Sequence, residues 1–334
     1  MTRYYDITLT PPGATQPLRQ WTSHPSGNFD PGALDVEFDM PIAGYDTPTG
    51  AVAITIHGIG REDISQAYQF AGMEVVVNGG MKKGLPLTNP FQSGTLLRGQ
   101  VFQAFGNWEG TDMRLDLIVY PSRHTIDDPG NFILFWNAGQ TLAEALKGTL
   151  STVYRGIPIT TNIGDNLVLD YPEAHYCATL EELSALVSDI SRDVFRQEVK
   201  VTIQAGKIVI YDTSYKPNPI QIDFTDLVGQ PTWLQQGVMQ MKTVMRADLQ
   251  VGSIIRMPAV QLQGKSTIFP NAPGFTTTYA STGLSANGGG LSSTDKNSLT
   301  FANNFQVTEL RHLGCFRSPS GEDWVTVFNC AQAA

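Results

Sequence analysis

The sequence is poor in charged residues, in cysteine and in long hydrophobic runs. Asp, Glu, Lys and Arg make up 16% of its 334 residues, against about a quarter in globular proteins generally. Two interpretations fit this shortage: a subunit whose surfaces are buried against neighbours, since interface centres are depleted of charge, or a chain with long neutral loops of Gly, Ser and Thr. The hydrophobic fraction of 41% is sufficient for packed cores, and the length predicts two or three domains.

The cysteines and histidines form no recognisable disulfide or metal-binding pattern. Cys177, Cys315 and Cys330 are odd in number and lack C-x-x-C spacing, which indicates neither a disulfide framework nor a zinc site. The histidines show no H-x-x-x-H spacing, and we expect His312, in a strand after Arg311, at a strand edge. The glycine-rich segments lack the G-x-x-x-x-G-K-S/T and G-x-G-x-x-G patterns of phosphate-binding loops. The sequence therefore predicts no metal and no cofactor.

The hydrophobic runs are too short for a membrane span. The longest uninterrupted one is Phe132–Trp136, whereas a transmembrane helix needs about 20 apolar residues. No basic segment followed by an apolar one opens the chain, so neither a signal peptide nor a transmembrane helix is expected, and synthesis is expected in the cytoplasm. The net charge of −9 argues against binding a nucleic-acid backbone through Lys and Arg.

Motifs for catalysis are also scarce. His57-Gly58-Ile59-Gly60, after an apolar strand, is similar to the oxyanion-hole loop of α/β-hydrolases, but that fold also needs a G-x-S-x-G nucleophile elbow, which the sequence lacks. Glycoside hydrolases use two facing carboxyl groups, and adjacent carboxylates are present. Turn formation and the helix dipole explain the three pairs of adjacent carboxylates better than catalysis does. The pairs are Asp127-Asp128, Glu181-Glu182 and Glu322-Asp323.

The first part of the chain, residues 1–125, predicts a β-barrel-like domain. Apolar and polar residues alternate in several short segments, and turns rich in Gly and Asn separate them. Several short strands at such spacing are typical of a small barrel or sandwich. A helical turn is expected over residues 62–71. The predicted strands cover residues 4–9, 34–40, 51–57, 73–78, 100–105 and 113–120.

The middle of the chain, residues 126–222, changes to the helical period. Thr141-Leu-Ala-Glu144 and Thr179-Leu-Glu-Glu182 are capping boxes, and each opens a segment with apolar residues three and four apart. A strand over residues 157–163 follows the first helix, and a hairpin around Ala205-Gly206 follows the second. Because one-sided helices must bury their apolar faces, we predict an α/β domain in which both helices pack on one small sheet.

The last part, residues 223–334, predicts strands again. Residues 259–300 interrupt them as a long polar loop rich in Gly, Ser, Thr and Asn, of a length that is usually functional or unordered until bound. The predicted fold class is α+β, with two small β-barrel-like domains flanking an α/β insertion domain. The predicted strands of this part cover residues 237–244, 252–257, 305–313 and 323–330.

Residues 246–258, RADLQVGSIIRMP, are the most informative phrase of the sequence. Further phrases follow the same order along most of the chain, and together they resemble the baseplate hub and related tail-tip proteins of contractile-tailed bacteriophages, which are related to the late-control tail protein family. The other phrases are Gly72-Met-Glu-Val75, Gly79-Gly-Met81, Gly84-Leu-Pro-Leu87, Gly99-Gln-Val-Phe102, Gly106-Asn107, Asp226-Leu-Val-Gly-Gln-Pro231, Trp233 and the closing pair over 307–329.

This resemblance implies a structural virion protein rather than an enzyme. It implies a baseplate hub that joins the sixfold tail tube to the threefold spike and lines the channel, through which DNA passes without specific binding. A homotrimer of a chain with two similar β parts presents six quasi-equivalent units. The implied partners are tube, spike, tape-measure and baseplate ring proteins. The residues that we expect at interfaces are Trp233, Arg246, Asp248, Leu249, Gly252, Pro258 and Trp324.

Two other functions stay open at this point. One is a tail-associated hydrolase of cell-wall or other glycans that uses one of the carboxylate pairs. The other is a carbohydrate-binding or coat-type β module, which predicts a domain without the two capped helices.

Overall fold

The computed structural model describes residues 2–42, 51–82, 92–121, 130–212, 215–235, 237–257 and 304–332. Within these ranges strands predominate and three α-helices occur, so the predicted α+β class is confirmed. The predicted polar loop over residues 259–300 lies outside the described residues, as do Asp127-Asp128 and Pro258.

The first part of the chain folds into seven strands and one short helix. Alternation places one face of each strand in the core: β1 buries Tyr5, Ile7 and Leu9 and turns the residues between them outward. The predicted strands and helical turn are confirmed. The elements are β1 (Thr2–Thr10), β2 (Arg19–Thr22), β3 (Asp35–Ile42), β4 (Val52–His57), α1 (Arg61–Gln66), β5 (Glu74–Lys82), β6 (Gly94–Glu109) and β7 (Asp112–Tyr120).

The middle part contains the two predicted helices and the predicted hairpin. The Thr141 hydroxyl accepts from the Glu144 amide while the Glu144 carboxylate accepts from the Thr141 amide, so this capping box is complete. The elements are β8 (Phe132–Trp136), α2 (Leu142–Val153), β9 (Ile159–Asn162), β10 (Glu173–Cys177), α3 (Leu180–Phe195), β11 (Val199–Gln204) and β12 (Lys207–Asp212).

Two details of the middle part differ from the prediction. The helices pack on two small sheets rather than one, because Phe132–Trp136 is itself a strand and pairs antiparallel with β10, while β11, β12 and β9 form the other sheet. The second capping box is only half formed: Thr179 accepts from the Glu182 amide, but the Glu182 carboxylate accepts from the Ala178 amide instead of the Thr179 amide.

The last part is again built of strands. Its predicted strands are confirmed, and the short strands β13 and β14 are additional. The elements are β13 (Ile220–Gln221), β14 (Thr232–Gln235), β15 (Val238–Val244), β16 (Ile254–Arg256), β17 (Asn304–Cys315) and β18 (Trp324–Gln332).

The two terminal parts of the chain meet in one hydrogen-bonded sheet. Its main path runs β14-β15-β18-β17-β3-β4-β7-β6-β5-β1-β2, and β13 and β16 attach beside it. The seam between the terminal parts is the antiparallel pair β17–β3, in which Cys315 faces Glu37 and His312 faces Met40. The chain therefore places its first and last thirds side by side. Their division into two barrels, and the domain boundaries at 125 and 222, stay predictions.

Two separate clusters of buried residues stabilise the described chain. One joins residues from both terminal parts, such as Ile54, Val119, Phe305 and Phe328. The other belongs to the middle part, where Leu146 of α2 and Leu183 of α3 face the two small sheets. Burial of apolar surface contributes about 25 cal/mol per Å², so the seam is held by packing as well as by the strand ladder.

Candidate functional site

Arg246, the first residue of the RADLQVG phrase, lies in a buried network of charges. Its guanidinium donates to Asp248 through Nε (2.9 Å to Oδ1) and Nη2 (2.6 Å to Oδ2), and to Asp226 through Nη1 (2.9 Å to Oδ2). Arg246 is 1% exposed, and Gln92 donates a further hydrogen bond to Asp226. The network joins the turn after β15 to the segment before β14, so it stabilises the fold of this part of the chain.

Leu249 and Gly252 continue this phrase into contact with the middle part of the chain. Leu249 is buried, and Gly252 has a φ of +89°, a conformation that suits glycine. A Cβ on Gly252 would lie 3.1 Å from the Tyr211 ring on β12. The Val251 amide donates to Gln204 Oε1 of β11 at 2.7 Å. These contacts fix the last β part against the middle part.

Trp324 connects the terminal parts across the seam. Its side chain is buried, and its indole Nε1 donates to the Gly80 carbonyl of β5 at 2.9 Å. Its ring packs edge-on against Phe38 of β3 and Phe316. Since Arg246, Leu249 and Trp324 are all inside the chain, they can shape an interface only through the fold that they support. Their direct role at an interface stays a prediction.

Trp233 is the exposed member of the residues expected at interfaces. It lies on β14, where all four side chains are exposed, and its ring is 6.3 Å from that of Phe305. Trp233 is 40% exposed and its neighbour Leu234 is 52% exposed. Within the described residues, β14 pairs with β15 and ends the strand order of the sheet. A terminal strand with exposed apolar side chains is a suitable template for another chain.

The opposite end of the sheet, β2, is more protected. Arg19 on β2 donates through Nε to Asp63 at 2.6 Å and through Nη2 to Glu62 at 3.3 Å, and both carboxylates belong to α1. Charged side chains at an edge disfavour uncontrolled pairing. The two ends of the sheet therefore differ within the described residues: β14 carries exposed apolar side chains, and β2 carries ion pairs.

Further exposed apolar side chains occur on two β-ribbons. On the long β6–β7 hairpin, Trp108 is 61% exposed, with the Arg61 guanidinium 5.8 Å from its ring centre. On the β8–β10 ribbon, Ile133 faces Tyr176 and both are exposed. The sequence of Phe132–Trp136 shows no alternation of apolar and polar residues, because both faces of this strand are apolar. The exposed side chains on these ribbons are Phe102, Phe105, Trp108, Ile133, Phe135 and Tyr176.

The carboxylates considered for catalysis have structural contacts where they are described. Glu322 pairs with Lys242 at 2.9 Å, and Asp323 accepts from the Ser318 hydroxyl at 2.5 Å. Glu182 caps α3. His57, from the HGIG segment, contacts Asp112 Oδ2 through Nδ1 at 2.9 Å. Within the described residues these contacts explain the carboxylate pairs as parts of turns and of a helix start.

His312 is not at a strand edge, which corrects the sequence prediction. It lies in the central strand β17, which pairs with β18 on one side and β3 on the other. Its side chain is buried, and Nδ1 lies 2.9 Å from the Thr326 hydroxyl. Burial lowers the pKa of His312 from 6.5 to about 3, because the charged imidazolium loses its hydration. Two adjacent polar residues, Arg311 and His312, suggested exposure in the sequence, although His312 lies in the core.

Acidification is expected to destabilise the protein through His312. Its pKa is lower in the folded state, so the unfolded state binds the extra proton, and stability present above pH 6.5 is lost as the pH falls towards 3. Between pH 7 and pH 5 this group should lower the free energy of unfolding by about 2 kcal/mol. Urea unfolding at pH 7 and at pH 5 measures this difference. In His312→Gln the free energy of unfolding should change less between the two pH values, by that amount. Equal pH dependence of the two proteins would contradict the assignment.

Comparison with solved structures identifies the fold. The chain superimposes on a component of the type VI secretion system of E. coli, described as structurally similar to the bacteriophage T4 tail proteins gp27 and gp5, with a TM-score of 0.51 and 11% identity over 98% of this chain and 77% of that one. A tail protein from Neisseria meningitidis gives 0.52 and 10% over 98% and 96%. The 43 kDa tail protein of prophage MuSo2 from Shewanella oneidensis gives 0.52 and 9% over 100% and 98%.

Sequence comparison identifies no relative: no protein-family model matches the chain, and no curated protein is significantly similar to it. Among the helices of the described residues, none combines the length and apolarity that a membrane crossing requires. The resemblance inferred from the RADLQVG phrase is confirmed by the solved structures. These neighbours are two tail proteins, one of them from a prophage, and a component of a type VI secretion system, and the chain has their fold.

Proposed function

We propose that this chain is a non-catalytic structural protein of a phage tail, a baseplate hub that joins the tail tube to the spike. The observation that carries the proposal is the single sheet in which both terminal parts of the chain take part, in a fold shared with tail proteins over nearly the whole chain. A non-catalytic role agrees with the structural contacts of the described carboxylates. The function of the chain would depend on its interfaces with tube, spike, tape-measure and baseplate ring proteins.

The symmetry of such a junction suggests a homotrimer. A chain with two β parts side by side, copied by threefold rotation, offers six similar units to a sixfold tube and three copies to a threefold spike. The seam β3–β17 keeps the two β parts of one chain in fixed register, which is necessary if they are to act as neighbouring units of a ring. The net charge of −9 suits a channel that DNA crosses without binding.

The terminal strand β14 is our candidate for the contact between subunits. Its four side chains are all exposed, and strand addition at an edge gives affinity through main-chain hydrogen bonds. The charged β2 end and the apolar ribbons β6–β7 and β8–β10 supply further surface for ring and spike proteins. Large apolar side chains at such positions are enriched at the centres of interfaces.

Light scattering during size-exclusion chromatography tests the edge contact. The protein is expected to elute as three copies, and Trp233→Pro and Leu234→Pro, made singly, are each expected to shift it towards one copy, because proline removes an amide donor from the strand. Trp233→Ala and Leu234→Ala are the controls that keep the amide. A trimer unaffected by either proline would exclude β14 as the contact.

A wall-degradation assay separates this role from that of a tail-associated glycan hydrolase. We expect no clearing of bacterial cell walls in a zymogram. Clearing that disappears on substitution of one carboxylate, such as Glu322→Gln, would replace the structural role with the catalytic one.

A further inference from the structure

Four side chains with metal-binding atoms meet on one face of the sheet at the seam of the terminal parts. Across β3–β4, Asp35 faces His57, and across β17–β3, Glu37 faces Cys315. The donor atoms of the two carboxylates and the thiol all lie within 4.8 Å of one another. His57 Nε2 lies 4.0 Å from Glu37 Oε2. We call these residues the seam cluster: Asp35, Glu37, His57 and Cys315.

The imidazole of His57 is oriented as a ligand. Its Nδ1 contacts the Asp112 carboxylate at 2.9 Å, and because a carboxylate only accepts, Nδ1 carries the proton. In the neutral imidazole the lone pair is then on Nε2. Within the described residues that atom is shielded from solvent, has no hydrogen-bond partner, and points towards Glu37. A histidine that ligates a metal through one nitrogen usually donates its other N–H to a carboxylate in this way.

The arginines near the other three members donate mainly to other groups. The Arg3 guanidinium donates to the backbone carbonyls of Cys315 and Phe316, and its charge also interacts with Asp35 and Cys315. The Arg317 amide donates to Asp35 Oδ1 at 2.9 Å, whereas the Arg317 guanidinium donates to backbone carbonyls of Pro31 and Ala33. Arg114, which faces His57 on β7, donates instead to Asp116 and Glu109. Among the described residues, none of these three arginines donates a side-chain hydrogen bond to the carboxylates of Asp35 and Glu37, and Arg3 is a nearby cation that partly offsets the charge of Asp35.

The Cys315 thiol completes the set. Its sulfur lies 3.4 Å from Glu37 Oε1. A bound cation would displace the thiol proton and offset the neighbouring negative charges.

We propose that the seam cluster binds one zinc ion that links β4, β3 and β17. Thiolate, imidazole and carboxylate together are typical zinc ligands, whereas magnesium and calcium prefer oxygen alone. At zinc–ligand distances of about 2.0–2.3 Å, tetrahedral donors are about 3–4 Å apart. The donors of Asp35, Glu37 and Cys315 lie within 4.8 Å of one another, and His57 approaches this set beside Glu37, so side-chain movement on binding would complete the site. The ion would fasten the first and last thirds of the chain, and this role holds whether or not the chain assembles into a tail.

Cobalt titration of the full chain, freed of metal by a chelator, tests the site. Co²⁺ is the probe because its thiolate complexes have a charge-transfer absorption band, and Zn²⁺ added afterwards should remove the band. We expect saturation at one equivalent, loss of the band in Cys315→Ser, and strongly weakened binding in His57→Gln. His175→Gln is the matched control, since His175 Nε2 contacts Glu173 at 2.7 Å in another sheet, and it should bind like the parent protein.

Two more measurements keep the inference testable if a ligand variant folds poorly. Asp112→Asn, which acts through His57, should retain the band but lower the affinity about 10- to 100-fold. Zn²⁺ should slow the alkylation of Cys315 by a maleimide, read by mass spectrometry on the unaltered chain. Absence of the band, its persistence in Cys315→Ser, equal weakening by His175→Gln, or no protection of Cys315 would each overturn the proposal.

Discussion

Arg246→Ala is expected to lower the free energy of unfolding by about 3–5 kcal/mol. The substitution removes the partner of two carboxylates, Asp226 and Asp248, whose side chains are 7% and 19% exposed. Neither carboxylate can regain full hydration in place, so the penalty is that of uncompensated charge in a poorly hydrated site. Gln92 donates a single hydrogen bond to Asp226 and does not neutralise it.

An exposed ion pair of the same chemistry supplies the control for this prediction. Arg311 donates through Nε to Asp39 Oδ1 at 2.6 Å across the seam, but the two side chains are 54% and 45% exposed. Arg311→Ala should therefore change stability by about 1 kcal/mol or less. Urea unfolding of both variants measures the difference. If both variants lose stability equally, the buried network does not have the role that we assign to it.

Trp324→Ala is expected to have an effect of similar size, about 3–5 kcal/mol. The indole fills the space between Phe38 and Phe316, and its removal leaves a cavity where the two terminal parts meet. It also leaves the Gly80 carbonyl without its indole donor. The loss should therefore act on both thirds of the chain together, in one cooperative unfolding transition.

Two matched variants identify the cause of this loss. Trp324→Phe keeps an aromatic ring but not the hydrogen bond to Gly80, so its stability should lie between those of the parent protein and Trp324→Ala. Trp108→Ala, on the exposed hairpin, should change stability by about 0.5 kcal/mol or less. Thermal unfolding followed by tryptophan fluorescence and circular dichroism measures all three. A Trp324→Ala protein as stable as Trp108→Ala would show that the seam does not depend on this side chain.

Local patterns in the sequence predicted most elements of the fold. The alternation in β1, β3, β4 and β7 and the capping box at Thr141 are short-range properties, and each element formed where its pattern indicated. The strand β8 was not predicted, because its residues are apolar on both faces and show no alternation. Only the pairing with β10 reveals which face is buried.

Long-range relations were beyond the sequence. Nothing near Glu37 indicates that Cys315 lies opposite it, since the β3–β17 ladder joins residues about 270 positions apart only after folding. For the same reason the scattered histidines and cysteines showed no metal-ligand spacing, yet His57 and Cys315 meet at one face of the sheet. His312 was misassigned because a polar residue beside Arg311 suggests exposure, whereas both neighbouring strands cover it.

The sequence indicated only part of the candidate interface. The RADLQVG phrase correctly indicated the fold, but Arg246 and Leu249 are internal, and their importance is first of all structural. Trp233, by contrast, lies on the terminal strand β14 and is 40% exposed. The apolar ribbons β6–β7 and β8–β10 could not be identified from sequence, because exposure of an apolar side chain depends on what the rest of the chain leaves uncovered.

The central claim is that two β parts in one chain, repeated threefold, form a ring between parts of different symmetry. Electron cryomicroscopy of the purified protein, alone and mixed with tube and spike proteins, tests it most directly. We predict closed rings of three copies with six similar β units around a channel, with the tube on one face and the spike on the other. Single copies that bind neither protein, or rings of six copies, would contradict it.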